Sequence, residues 1–432
     1  MKLSLYNTIL KLGERATIVY NALSDMFVAI RTPDLAFPQH AEDIEALKSS
    51  SPELYEQLTT IGAILDDNVD EVAILRQRIR DIDFDGSYFI MHVNPTLDCN
   101  FNCWYCYENH QKGSMISEDV ASKILSNCSR IISGESGDIS KFELSFFGGE
   151  PLLGFGRVKH LIERVSELCE KYNVSFRTGF TSNGFLLTDE MISFLSKFDC
   201  SFQITLDGGK EEHNNTRFGK GGIPSYDKIL ENVVKLAKAG IMITLRINYT
   251  AKNAESTKAI VDWLSTVPED IRCKIEVDYQ RVWQDKTTEG VDATYHLIKD
   301  LRREIRKLGY VTLNNRILHG VTNSCYGDRY NHVLVNYDGS LFGCTAREFN
   351  KENSFGNISE NGFVWDKEKH EQWYSLKFSK KVCETCRIAP LCGGGCRRQA
   401  MDHQNEEECM YNYTPEIIDE FILERFEDRY LH

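Results

Sequence analysis

Between residues 88 and 312 the chain alternates six times between a short run of strand type and an amphipathic helical stretch. The strand runs are YFIMHVNPT, FELSFFGGEP, SFRTGFTSNG, SFQITLDG, MITLRINYT and KIEVDYQRV, with segments such as SYDKILENVVKLAKAG between them. Strands that follow one another in parallel need a crossover, and a helix is the usual one. The order therefore predicts an α/β fold with a parallel sheet, either open or closed into a partial barrel. In both forms ligands sit beyond the carboxyl ends of the strands. Two stretches are thereby placed on the functional face: LDCNFNCWYCYENH at 97–110, after the first strand, and FFGGEP, which ends the second.

The cysteines sharpen this. There are 14, and Cys128, Cys169, Cys200 and Cys273 stand alone in apolar, periodic segments, where buried core positions are expected. The other ten fall into two groups: Cys99, Cys103 and Cys106, then seven from Cys325 to Cys409. The N-terminal stretch is interrupted by Lys11, Glu14 and Arg15, unlike a signal peptide. No apolar run approaches the ~20 residues of a spanning helix. A cytoplasmic protein is expected, and there clustered cysteines point to metal rather than disulfides. The 50 basic and 64 acidic residues leave a net charge of −14, which disfavours a nucleic acid substrate.

Thiolates select zinc, copper(I) or iron–sulfur clusters. Structural zinc takes four protein ligands, and the first group offers three thiols, with His92 and His110 as further candidates. A four-iron cluster on three thiolates keeps one iron open for another ligand. The spacing C-x3-C-x2-C with an aromatic before the last cysteine resembles the signature of the radical S-adenosylmethionine (SAM) enzymes. The resemblance implies a partial (β/α)6 TIM barrel, with Cys99, Cys103 and Cys106 holding a SAM-binding 4Fe–4S cluster. Two glycines at a strand end let a ligand lie against bare backbone. In the family this stretch contacts the SAM amino group, a role that falls to Gly148, Gly149 and Glu150.

ITLDGGKEEHNNTR is similar to the fourth-strand segment of anaerobic sulfatase-maturing enzymes, which implies that Thr205 and Arg217 hold the SAM ribose and carboxylate. The family usually has serine at the Thr205 position, so the hydroxyl is kept. Arginine suits a carboxylate because its fork of donors meets both oxygens. Tyr105 is expected near the adenine, and Ser182 and Asn183 in TSNG are further candidates. FGKGG at 218–222 lacks the strand–GxxxxGK[ST]–helix setting of a phosphate loop and reads as a mobile connection.

The second group runs Cys325, Gly339, Cys344, then Cys383, Cys386, Cys392 and Cys396 as C-x2-C-x5-C-x3-C, then Cys409. This order resembles the SPASM extension of radical SAM proteins, which carries two auxiliary 4Fe–4S clusters; two zinc sites are the alternative. The family pattern assigns Cys383, Cys386, Cys392 and Cys409 to one cluster and Cys325, Cys344 and Cys396 to the other. Sulfatase-maturing enzymes have an eighth cysteine between the first two and a catalytic aspartate after the second. This chain has neither, with Thr345 in the aspartate's place.

Residues 1–85 read as three short strands followed by helices, one opening at Ser51-Pro52. In size and order they resemble the small winged-helix-like element with which peptide maturases capture a leader by strand addition; a docking cap is the alternative. The expected organisation is this RRE-like domain at 1–85, a radical SAM core at 86–315 and a SPASM domain at 316–432, ending in an amphipathic helix. The implied function is a radical SAM maturase of a ribosomally made peptide, fed by a flavodoxin or ferredoxin and forming a thioether, a carbon–carbon link or an epimer. A sulfatase-maturing enzyme, and an iron–sulfur binding or electron-transfer protein without catalysis, are the rival readings.

Overall fold

The computed structural model describes residues 1–13, 16–31, 37–135, 137–287, 291–313, 324–346, 348–403 and 407–430. It forms two compact units. One gathers Met1–Asp85, Asn315–Tyr330 and Glu371–His432; the other gathers Gly86–Asn314 and Asn331–His370. The boundary expected at 315 lies outside the described residues.

The first unit begins with strands β1 (Lys2–Leu3), β2 (Asn7–Leu12), β3 (Ala16–Asn21) and β4 (Met26–Ile30). Helices α1 (Ala41–Ser50) and α2 (Pro52–Thr60), strand β5 (Ile64–Leu65) and helix α3 (Glu71–Asp83) follow. β2, β3 and β4 make an antiparallel sheet, and β1 pairs with β5. Pro52 sits in the first turn of α2 and Ser51 at its N-cap, but the serine side chain makes no capping bond. The fixed φ of proline sets the start. Val19, Val28, Ile44, Leu58 and Ile64 are buried together beneath these elements.

In the second unit the predicted strands appear as β6 (Tyr88–Val93), β7 (Lys141–Phe146), β8 (Ser175–Ser182), β9 (Cys200–Leu206), β10 (Met242–Tyr249) and β11 (Ile275–Arg281). Between them run α4 (Glu118–Ile132), α5 (Phe155–Tyr172), α6 (Asp189–Leu195), α7 (Lys210–Thr216), α8 (Tyr226–Lys238), α9 (Lys258–Thr266) and α10 (Glu269–Arg272). α11 (Val291–Lys307) leads to a short β12 (Val311–Leu313). All neighbours from β6 to β12 are parallel, and their order along the sheet is their order in the chain. A doubly wound sheet reverses its order; this one does not, as in a barrel wall.

The alternation of side chains makes one face apolar. Phe146, Phe180 and Phe202 stack across β7, β8 and β9 with centroids 5.1 and 4.7 Å apart. At alternate positions the strands carry Glu143 and Ser145, Arg177, Gln203 and Thr205, Arg246 and Asn248, and Asp278 and Gln280. The sheet continues past β6. β13 (His332–Val335) pairs with β6 in parallel, and β14 (Ser340–Phe342), β15 (Gly356–Ser359) and β16 (Gly362–Trp365) extend it as an antiparallel meander.

The remaining helices are α12 (Lys367–Ser375), α13 (Ala389–Cys392), α14 (Arg397–Asp402) and α15 (Pro415–Tyr430). In the first unit Phe378, Ile388, Leu391, Ile418 and Ile422 share a core with Tyr6, Tyr20, Leu75 and Ile79. The cysteine-rich tail is therefore held by apolar burial as well, a stabilisation its sparse, aperiodic sequence does not advertise. Cys128, Cys169 and Cys200 are buried as expected. Cys273 is exposed, because α10 is a single turn at the surface and the cysteine caps its end. Among the described residues no helix is long and apolar enough to cross a membrane.

Candidate functional site

Five residues, Asn94 to Asp98, separate the end of β6 from Cys99. They are pinned on both sides. Leu97 N–H donates to Ser114 Oγ at 2.9 Å and Asp98 N–H to Thr96 Oγ1 at 2.9 Å. Gly149 N–H donates to the Thr96 carbonyl at 3.1 Å and Glu150 N–H to the Asp98 carbonyl at 2.9 Å. A Cβ on Gly148 would stand 2.3 Å from the Thr96 carbonyl oxygen, and one on Gly149 2.2 Å from that of Asp98. The space beside the two glycines, where a Cβ would stand, is thus taken by the approach to the cysteine loop. Two chain segments come within hydrogen-bonding distance there, and any side chain would keep them apart.

Glu150 is fully buried and its carboxylate is shared among protein donors. Oε1 accepts from Ser182 Oγ at 2.8 Å and Leu152 N–H at 3.0 Å, and Oε2 accepts from Asn183 N–H at 2.8 Å. Asn183 Nδ2 reaches Asn100 Oδ1 at 2.7 Å. Glu150, Ser182 and Asn183 are thereby joined to one another and to the cysteine loop. Burial raises the Glu150 carboxyl, against the pull of those bonds.

Cys99 is buried, Cys103 half-buried and Cys106 exposed. Burial pushes Cys99 up to about 12 and raises Cys103, so the loop by itself holds these as neutral thiols. The thiolate form needs bound positive charge to offset desolvation. Among the described residues no three His, Cys, Asp or Glu side chains close around a single-ion position. The thiols are grouped by their loop rather than by a preformed ion cage. His110 Nε2 lies 3.4 Å from Cys106 Sγ, whereas His92 is turned to His332 at 3.1 Å across β6 and β13. Lys220 N–H donates to the Asn100 carbonyl at 3.1 Å, its Nζ meets Asp98 at 3.2 Å, and Gly219 bridges Phe101. The stretch read as a mobile connection is a strap bonded to the cysteine loop.

Arg217 follows α7, is buried, and donates from NH1 to the Tyr105 hydroxyl at 2.8 Å. That hydroxyl faces both oxygens of Asp207 at 2.6 and 2.8 Å. The Arg217 Nε is buried and has no hydrogen-bond partner among the described residues. Thr205, also buried, precedes Asp207 by two residues, one strand period away. Sequence reading missed Asp207 and His213, which hold this group. His213 Nδ1 accepts from Asp207 N–H at 3.2 Å, so the proton is on Nε2, 2.9 Å from Ser225 Oγ, which donates to the Arg217 carbonyl. Burial, aided by Arg217, holds this imidazole down at about 3, neutral throughout the working range. The available signal was a buried-type histidine six residues after the aspartate that ends a strand. The Tyr107 hydroxyl donates to the Thr345 carbonyl at 3.2 Å, linking the cysteine loop to the residue after Cys344.

In the first unit Cys383, Cys386, Cys392 and Cys409 line one cavity with Lys380 and Tyr411. Cys396 N–H donates to the Tyr411 hydroxyl at 3.0 Å, and Cys325 opens a tight turn over Tyr326–Asp328. Cys344 belongs to the second unit.

Residues 93–264 match the radical SAM superfamily, and residues 325–387 match the SPASM iron–sulfur cluster-binding domain. The cysteine-type anaerobic sulfatase-maturating enzyme of Clostridium perfringens is 25% identical over 354 residues, 75% of this chain and 92% of that protein. The radical SAM cyclopropyl synthase TigE of Paramaledivibacter caminithermalis is 24% identical over 351 residues, 74% of this chain and 70% of its own. Among solved structures, native anSMEcpe with bound AdoMet and Cp18Cys peptide superposes with a TM-score of 0.59 at 21% identity, covering 79% of this chain and 97% of its own.

Proposed function

Because this chain is a radical SAM enzyme with a SPASM iron–sulfur domain, we propose that it modifies a ribosomally made peptide, joining two of its residues through a thioether or carbon–carbon bond. The observation that carries the cofactor assignment is the buried Arg217 beside Cys103, its Nε without a hydrogen-bond partner among the described residues. A SAM carboxylate fits that vacant donor. Bound there, a reduced 4Fe–4S cluster and SAM would supply radical hydrogen-abstraction chemistry.

The chain's own residues have separate tasks. Cys99, Cys103 and Cys106 hold the cluster. The turn at Gly148, Gly149 and Glu150, tied to Ser182 and Asn183, fixes the loop's approach and faces the SAM amino group. Thr205 supplies a hydroxyl for the ribose, and the Tyr105 ring lies toward the adenine. Two further clusters fall to Cys383, Cys386, Cys392 and Cys409, and to Cys325, Cys344 and Cys396; the second set has three thiols, which leaves an iron for a substrate cysteine and favours the thioether. The antiparallel sheet of residues 1–85 receives the leader by strand addition. Reducing equivalents come from a flavodoxin or ferredoxin, in the cytoplasm.

Co-expression with a short open reading frame beside the gene, followed by mass spectrometry, tests the reading. A loss of two hydrogens from the peptide supports a cross-link; deuterium uptake without mass change in ordinary water means epimerisation instead. The relative from Clostridium favours a second reading, formylglycine formation on a sulfatase. Thr345 stands against it, since no carboxylate there takes the proton. A sulfatase peptide converted at speed would reverse that preference.

Two further outcomes are expected. Anaerobic reconstitution should give ~12 iron atoms per chain, three clusters of four; a content near four, or stoichiometric zinc, would remove the auxiliary pair. Arg217→Lys keeps the charge but loses the fork, and should raise the Kd for SAM by about 10-fold or more, equivalent to ~1.4 kcal/mol. Equilibrium dialysis measures it, and an unchanged Kd would mean that Arg217 does not meet the carboxylate.

A further inference from the structure

Within the first unit four ionisable side chains, two carboxyls and two basic groups, are buried together. Asp83, the last residue of α3, has a side chain 1% exposed; those of Arg397, Lys377 and Asp328 are 2%, 4% and 9% exposed. Asp83 Oδ1 meets Lys377 Nζ at 2.9 Å and accepts from Ser324 Oγ at 2.7 Å, and its Oδ2 meets Arg397 NH2 at 3.0 Å. Lys377 also bonds Asp328 Oδ2 at 3.1 Å and Ser324 Oγ at 2.6 Å. Arg397 NH1 donates to the Asp328 carbonyl, and Asp328 N–H to the Cys325 carbonyl at 2.9 Å.

The placement of these groups is the telling feature. Ser324 precedes Cys325, and Arg397 follows Cys396. One carboxylate at the end of α3 therefore bridges the residues flanking two cysteines that lie 71 positions apart by their numbering. Ion pairs of this kind are a poor way to add stability, because desolvation offsets most of their attraction. They are a good way to fix register, since a slip of one residue leaves a buried charge without its partner. At its other end α3 is tied to the connection between β1 and β2, where Glu71 accepts from Ser4 Oγ and from Leu5 N–H at 2.9 Å.

We propose that Asp83 is a positioning residue for the iron–sulfur site that uses Cys325 and Cys396, so that the N-terminal residues are a structural part of that site as well as a place for a leader. The proposal rests on the ligand assignment made above.

The test uses the full chain with Cys99, Cys103 and Cys106 all replaced by alanine, so that only the tail's clusters contribute. Asp83→Asn removes the charge at constant size, and Ser324→Ala removes only one hydroxyl. Iron content and an EPR-monitored redox titration are the readouts. For Asp83→Asn the expected result is a shifted midpoint or altered g-values in one of two signals, or loss of about four of ~eight irons. Ser324→Ala should move the same signal by less, and it decides the matter alone where Asp83→Asn is insoluble. Two signals at the parent's potentials in whichever variants are soluble overturn the positioning role and leave the ligand reading intact. A triple-alanine parent that binds no iron overturns both.

Discussion

Cys103→Ala is expected to form no 5′-deoxyadenosine above background when the anaerobically reconstituted protein is reduced in the presence of SAM. The expectation follows from what stands around the three thiols. His110 Nε2 lies 3.4 Å from Cys106 Sγ, so a neighbouring imidazole is at hand to substitute for Cys106. His92 faces His332 in the sheet and is not available to the loop. Cys103 has Arg217 and Asp207 as charged neighbours, neither of which replaces a thiolate on iron. Its loss is thus harder to repair than that of Cys106. Cys128→Ala is the matched control. Cys128 is buried with its Sγ 3.8 Å from Met91 Sδ, and truncation there should cost about 1 kcal/mol of stability through lost packing. It should leave nucleoside formation at the parent's rate. Chromatography of the quenched reaction reads both variants, and steady 5′-deoxyadenosine from Cys103→Ala would take Cys103 out of the cofactor site.

The cysteine loop and the order of the main sheet were legible for the same reason: both are local in sequence. Strand-then-helix alternation announces β6 to β11, and the loop's spacing is contained in eight residues. What escaped is long-range. β13 to β16 are only three or four residues each, and they form because backbone groups find the free edge of β6 some 240 residues away, as His332 pairs with Ile90. No periodicity can signal that. Phe378, Ile388 and Leu391 sit in an aperiodic tail, and their partners Tyr6 and Leu75 lie at the opposite end of the chain. At the site, Glu150 and Arg217 were legible by chemical type and motif. Asp207 and His213 were not, because their work is to hold Arg217 and Tyr105, and a holding residue declares itself only through its hydrogen bonds.

Gly149→Ala should be among the most damaging methyl additions near the site. The added carbon would stand 2.2 Å from the Asp98 carbonyl oxygen, 2.6 Å from its carbon and 2.8 Å from the Leu97 carbonyl carbon. All three are main-chain atoms and cannot rotate away. Relief requires the approach to Cys99 to move off the turn, breaking the Gly149–Thr96 and Glu150–Asp98 bonds and leaving buried groups unpaired. The expected destabilisation is about 3 kcal/mol or more, above ordinary overpacking, together with loss of SAM binding and of the cluster at Cys99, Cys103 and Cys106. Gly156→Ala separates this from glycine replacement as such. Gly156 lies in the first turn of α5 with nothing within 4 Å of an added Cβ. There alanine should stabilise by about 0.5–1 kcal/mol, by restricting the unfolded chain and favouring the helix. Thermal unfolding, iron content and SAM dialysis on the two variants read the contrast. If Gly149→Ala kept the parent's iron and SAM affinity, the close approach of turn and loop would not be what sets the position of the three thiols.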